Sequence, residues 1–95
     1  MFYTYILYSA GFDRFYTGHC EDVALRLQRH NNRMVPSTKS YLPWLLVYYE
    51  EYASRLEASN RELEIKKKKG RKYIEYLVNG GGTGSHFPSY DRDSQ

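Results

Sequence analysis

Ninety-five residues, 41% hydrophobic and 17% aromatic, suffice for one domain with a single modest core, alone or with a tail. One cysteine, Cys20, excludes an internal disulfide; no cysteine–histidine spacing reads as a zinc site, no secretory leader is legible, and no apolar run approaches the ~18 residues of a membrane span, so cytoplasm is the expected compartment. The net charge of +3 is mild, but six of the fourteen Lys and Arg residues stand in one run, "KKKKGRK" at 66–72.

"FYTYILYS" at 2–9 is aromatic and β-branched and reads as a strand. "AGFD" is turn chemistry, and "RFYTG" at 14–18 reads as the return strand of a hairpin. A turn symmetric about Ala10 and Gly11 places Tyr5 roughly opposite Tyr16, with the register deciding whether they share a face. A helix follows. Asp22, or Glu21 beside it, offers a carboxylate to its free N–H groups, and Val23, Leu27 and His30 recur at helical spacing. "HNNR" ends it, because asparagine tolerates the left-handed turn.

Residues 34–43 form a loop with two prolines, and "WLLVYYEEY" at 44–52 reads as a buried strand. Tyr41, Trp44 and the tyrosines of 48–52 read as core in preference to an interaction surface. "SRLE" at 54–57 is a capping box that opens a helix from 55 to about 69, stopped by Gly70. "RKYIEYLV" is a last short helix with Ile74, Leu77 and Val78 on one face, closed by Asn79 and Gly80. Residues 80–95 are glycine-rich and then polar, and read as a disordered tail behind a domain of residues 1–79. The order β-β-α-β-α-α predicts an α+β fold, a three-stranded antiparallel sheet flanked by helices.

The long helix has an unusual inner face. At about 100° per residue, Glu57, Asn60, Arg61, Glu64, Lys67 and Lys68 fall on a wholly polar half, with Glu57–Arg61 and Glu64–Lys68 as i,i+4 pairs. Leu56, Leu63, Ala58 and Ile65 bound the other half, and Ser59, Glu62 and Lys66 lie between them. A carboxylate there either pairs with Lys66 at i,i+4 or faces a cation or polar cleft. On the first helix Arg26 and His30 share a face by the same spacing, at the edge of the buried stripe. That pair is a surface arginine beside a helix-end histidine, or part of a site, and Arg29 and Arg33 nearby are further phosphate contacts. The basic run at 66–72 reads either as a solvated face or as a phosphate-backbone footprint.

"YTY" at 3–5 and "YTG" at 16–18 resemble the paired signature of the GIY-YIG nuclease superfamily. Arg26 stands ten residues after Tyr16, His30 four further on, and "EASNRELEIKK" resembles the family's A-x-x-x-E-x-x-I-K pattern with its glutamate at Glu62. The resemblance covers about residues 2–78 and is nearest to small stand-alone bacterial members. Tyr3, Thr4 and Thr17 depart from the signature, and His19 stands where some relatives have lysine.

The resemblance implies an endonuclease that hydrolyses phosphodiesters, in DNA before RNA, with one Mg²⁺ or Mn²⁺ held by Glu62. Arg26 would fork two donors onto the phosphate. Tyr5 would be the general base, with His30 taking or relaying its proton, and Tyr16 would orient water or phosphate. A phenol of reference pKa about 10 serves as a base near neutrality only where cations lower it. His19, Arg29, Arg33, Lys39, Lys66, Lys67 and Lys69 are the expected nucleic-acid contacts, and a monomer is expected. The alternative is an inactive binding module on the same fold.

Overall fold

The computed structural model describes residues 1–68 and 70–86. β1 (Phe2–Ser9) returns through residues 10–13 into β2 (Arg14–Cys20), and α1 (Val23–Asn31), β3 (Leu45–Tyr52), α2 (Arg55–Lys67) and α3 (Lys72–Tyr76) follow. All pairings are antiparallel, with β1 between β2 and β3. The predicted β-β-α-β-α-α order and three-stranded antiparallel sheet are therefore present, with one addition. β4 (Ser85–His86) pairs with Tyr48 and Tyr49 on the far edge of β3.

That short strand lies past residue 79, where the domain is expected to end. After α3 the chain widens into a π-type turn over Leu77–Gly81, with Gly80 at φ +100, where a side chain would be strained. The Gly84 N–H then donates to the Tyr48 hydroxyl at 3.1 Å. A glycine-rich stretch has little side chain to bury, but its backbone can satisfy an open strand edge, which composition does not reveal. Residues 87–95 of the expected tail lie outside the described residues.

The hairpin register also differs from expectation. Ser9 pairs with Arg14, so the turn is centred one residue later than Ala10–Gly11. Tyr5 consequently faces Gly18, and Tyr16 faces Leu7. The two tyrosines still share a face, two positions apart. Alternation sends Thr4, Ile6 and Tyr8 to one side and Tyr3, Tyr5 and Leu7 to the other. On the first side Ile6 and Tyr8 pack with Val47, Tyr48, Ile65, Leu77 and Val78. On the second, Tyr5, Leu7, Cys20 and Trp44 form a core against Val23 and Leu27 of α1. Trp44 and Tyr48 are buried, as a core assignment requires.

The helix ends follow local chemistry. Asp22 caps α1 by accepting from the Leu25 N–H at 3.0 Å, and Ser54 caps α2 by accepting from the Glu57 N–H at 3.2 Å. α2 stops at Lys67, slightly earlier than expected, ahead of Gly70 at φ +76. The left-handed residue after α1 is Arg33, at φ +64, and not an asparagine. Asn31 is instead committed to Trp44, accepting from its N–H at 2.7 Å and donating to its carbonyl at 3.0 Å.

On α2, Ala58 and Ile65 are buried as expected, whereas Leu56 and Leu63 are 69% and 53% exposed. Arg61, assigned to the solvent face with Glu57, turns inward. It donates to Glu50 at 2.8 and 3.1 Å, to Tyr73 at 2.9 Å, and to Glu64. Glu50 is only 5% exposed and also accepts from Tyr48 and Tyr52. A helical wheel treats charge as outward-seeking, but a buried carboxylate on the adjacent strand demands a cation, and Arg61 is within reach. Burial alone would raise the Glu50 carboxyl, yet the hydrogen bonds from Arg61, Tyr48 and Tyr52 outweigh it and hold it below the ordinary range. Among the described residues, no helix is long and apolar enough to cross a membrane.

Candidate active site

Tyr5 sits on the central strand, 1% exposed, with its ring passing over Gly18 of β2. A Cβ at position 18 would lie 2.6 Å from the Tyr5 hydroxyl. The glycine of "YTG" is thus required by the close approach of a ring from the neighbouring strand. The hydroxyl lies 3.1 Å from His30 Nε2 and accepts from Arg26 Nε at 3.3 Å. The i,i+4 spacing on α1 accomplishes this, because both side chains descend from one helix face onto one phenol. The Tyr16 ring closes the group, its centroid 4.9 Å from that of His30 and 6.3 Å from that of Tyr5.

Glu62 approaches from the opposite side of the sheet. His19 pairs with Thr4, so it points to the α2 face, and its Nδ1 donates to Glu62 Oε1 at 2.6 Å. Lys66 donates to Glu62 Oε2 at 2.5 Å, and its ammonium stands 6.0 Å from the Tyr16 ring centre. The expected five residues therefore form a hydrogen-bonded or ring-packed group of four, with Glu62 behind the edge strand β2. His19 and Lys66 connect the two halves around that edge. Glu62 pairs with Lys66, as the i,i+4 spacing predicts, and its other partner, His19, lines a polar cleft.

That cleft, about 640 Å³, is lined by His19, Asp22, Arg26, Arg29 and Arg55 among others. Arg55 was not identified from the sequence. The capping box marks it as the first residue of α2, but only the packing of α2 across β1 and β2 brings that end to the cleft that Arg26 and Arg29 line. Arg55 also stacks on Phe2 at 4.9 Å and lies 3.7 Å from Glu21. Arg33, Lys39 and Lys67 are exposed and do not line the cleft. Lys69 lies outside the described residues.

Electrostatics divide the site. Burial raises the Tyr5 hydroxyl above its ordinary pKa, and the Arg26 hydrogen bond offsets this only in part. The lowering that a phenolate base needs is therefore absent from this state. Burial, then the Arg26 charge, lowers His30 to about 4, so its imidazole is neutral near pH 7. For Glu62 burial acts upward, but the hydrogen bonds from Lys66 and His19 prevail and the carboxylate stays ionised. Among the described residues no three His, Cys, Asp or Glu side chains gather as a metal cage. Magnesium retains waters and needs few protein ligands, so the ionised Glu62 oxygens fit it as a single-carboxylate site once Lys66 yields Oε2.

The His30 shift carries a pH signature. Folding holds the imidazole neutral at about 4 against an ordinary 6.5. Its contribution is full above about pH 6.5 and is lost as pH falls toward 4, on the order of 2–3 kcal/mol. Urea denaturation of wild type and His30→Gln at pH 7 and 4.5 measures it. The wild type is expected to lose more stability between the two pH values by about that amount.

A profile of the GIY-YIG catalytic domain matches residues 1–74. The chain belongs to the GIY-YIG family. UPF0213 proteins of Staphylococcus epidermidis and Staphylococcus aureus are 46% and 44% identical to this GIY-YIG chain over 52 residues, 54% of its length. The match spans 63% of those staphylococcal relatives, less than two thirds of their own length. The solution NMR structure of the UPF0213 protein BH0048 from Bacillus halodurans is 30% identical, with a TM-score of 0.52 over 87% of this chain and 89% of that one. Membership places this GIY-YIG domain in a nuclease family, on the same small α+β fold.

Proposed function

We propose that the chain is a metal-dependent endonuclease that hydrolyses phosphodiester bonds, with DNA as the first substrate to test. The supporting observation is the Arg26–Tyr5–His30 hydrogen-bonded chain set at an arginine-lined cleft, with Glu62 adjacent across β2.

Arg26 engages Tyr5 through its Nε, and among the described residues its terminal nitrogens are left for a phosphate oxygen. Tyr5 need not exist as a free phenolate. Its hydroxyl oxygen takes a proton from the attacking water while its own proton passes to His30 Nε2. The water oxygen forms the new bond to phosphorus, and the bond to the leaving oxygen breaks. An anionic phosphate beside Arg26 cancels part of the charge that depresses His30, so the imidazole gains basicity when substrate binds. Tyr16 packs against both rings and limits their movement. Glu62 is the residue that would hold Mg²⁺ or Mn²⁺, whose charge would offset that developing on the leaving oxygen. Arg29, Arg55 and His19 would take flanking phosphates, and Lys39, Arg33 and the basic run would add longer-range attraction.

The rival reading is a binding module. It draws on Glu62, whose two oxygens are already taken by His19 and Lys66. A cleavage screen over single-stranded, duplex, flap and branched DNA and RNA with Mg²⁺ or Mn²⁺ separates the two. Cleavage that disappears in Glu62→Ala, with affinity unchanged or tighter, is the expected result. Binding of every substrate without cleavage would select the module.

A further inference from the structure

His30 stands between two hydroxyl groups. Its Nε2 is 3.1 Å from the Tyr5 hydroxyl and its Nδ1 is 2.8 Å from Thr38 Oγ1. A neutral imidazole has one N–H, so one nitrogen donates and the other accepts. The two ends of the chain determine which. At one end Arg26 Nε can only donate, and it donates to the Tyr5 oxygen. At the other end the Val35 carbonyl can only accept, and it lies 3.2 Å from Thr38 Oγ1.

One assignment satisfies every group. Thr38 gives its hydrogen to Val35 and its oxygen accepts from His30 Nδ1–H. Nε2 then holds a lone pair toward Tyr5, which donates to it. In the reverse assignment Nε2–H would donate to Tyr5, whose oxygen already accepts from Arg26. The Tyr5 hydrogen, in a side chain 1% exposed, would then lose its partner, which is costly for a buried donor.

Thr38 is built into place. It is 1% exposed, and its N–H donates to the Val35 carbonyl at 3.1 Å. Its own carbonyl accepts from Trp44 Nε1 at 2.9 Å and from the Tyr41 N–H at 3.1 Å. The titratable groups facing His30 are Tyr5 on β1, Tyr16 on β2 and Arg26 on its own helix. The loop brings the hydroxyl.

We propose that Thr38 is a positioning residue that holds His30 with Nδ1 protonated, so that Nε2 stays open to the Tyr5 proton. The same Nδ1–H···Oγ1 bond persists when Nε2 gains a proton, so the transfer needs no rearrangement on the loop side. The consequence for cleavage rests on the nuclease reading; the tautomer does not.

Two-bond ¹H–¹⁵N correlation spectra of the full chain report the His30 tautomer directly. Wild type and Thr38→Ser are expected to show a protonated Nδ1 and an unprotonated Nε2. Thr38→Val, which keeps the shape and removes the hydroxyl, is expected to shift the imidazole toward Nε2–H. In a cleavage assay Val should lower kcat by about 10- to 100-fold with little change in KM, by analogy with the loss of an outer partner from a metal-bound imidazole, and Ser should restore most of it. Wild type with Nε2–H, or Thr38→Val with the wild-type tautomer, would overturn the proposal. The wild-type spectrum decides even where the Val variant does not fold. Absence of cleavage with the expected spectra would reject the nuclease reading and leave the Thr38 assignment standing.

Discussion

Tyr5→Phe is expected to cut cleavage by about 10²- to 10⁴-fold, the span attributed to a positioned proton acceptor, while nucleic-acid affinity changes little. Phenylalanine keeps the ring over Gly18 and between Leu7, Cys20 and Trp44, so the packing of that core survives. What disappears is one oxygen. That oxygen accepts from Arg26 and donates to His30, so its removal leaves a buried imidazole nitrogen without its donor. The stability cost is about 1–3 kcal/mol, which can be measured separately by urea denaturation. Single-turnover cleavage and fluorescence anisotropy on the same substrate test the assignment. A parallel fall in rate and affinity would move Tyr5 from proton transfer to binding.

Arg61→Ala should be the most damaging change outside the cleft, destabilising the domain by about 3–5 kcal/mol because it strands a buried carboxylate. Glu50 is 5% exposed and Arg61 supplies its cation through two hydrogen bonds, so alanine leaves only the Tyr48 and Tyr52 hydroxyls. Against a typical total of about 5–15 kcal/mol, that is a large fraction. A second substitution distinguishes loss of charge balance from loss of packing. Glu50→Gln added to Arg61→Ala should recover much of the deficit, since a neutral amide can still bond the two tyrosines. No recovery would mean that Arg61 acts through its stem and its contact with Tyr73. The effect reaches the site, because Arg61 precedes Glu62 on α2.

Some of the architecture is written in local pattern. The capping residues Asp22 and Ser54, the stop at Gly70 and the apolar run of β3 each report on a few neighbouring residues, and those elements lie close to where they were placed. β4 escaped because a glycine-rich segment signals nothing locally, and its place comes from the open edge of β3. Arg55 and Thr38 escaped for a related reason. An arginine opening a helix and a threonine in a proline loop are ordinary residues until another element arrives beside them.

The candidate site divides along the same line. By itself the sequence nominated Tyr5, Tyr16, Arg26, His30 and Glu62 through a family resemblance, and determined that Arg26 and His30 lie on one helix face, because a 3.6-residue period depends on nothing beyond the helix. Only the tertiary structure decided that Tyr5 lies over Gly18, that Glu62 reaches its neighbours from behind β2, and that Arg61 turns inward. Strand register and the partner of a buried charge are set by which distant segment packs alongside. A shift of one residue or one neighbouring carboxylate changes them without altering the periodicity of either segment.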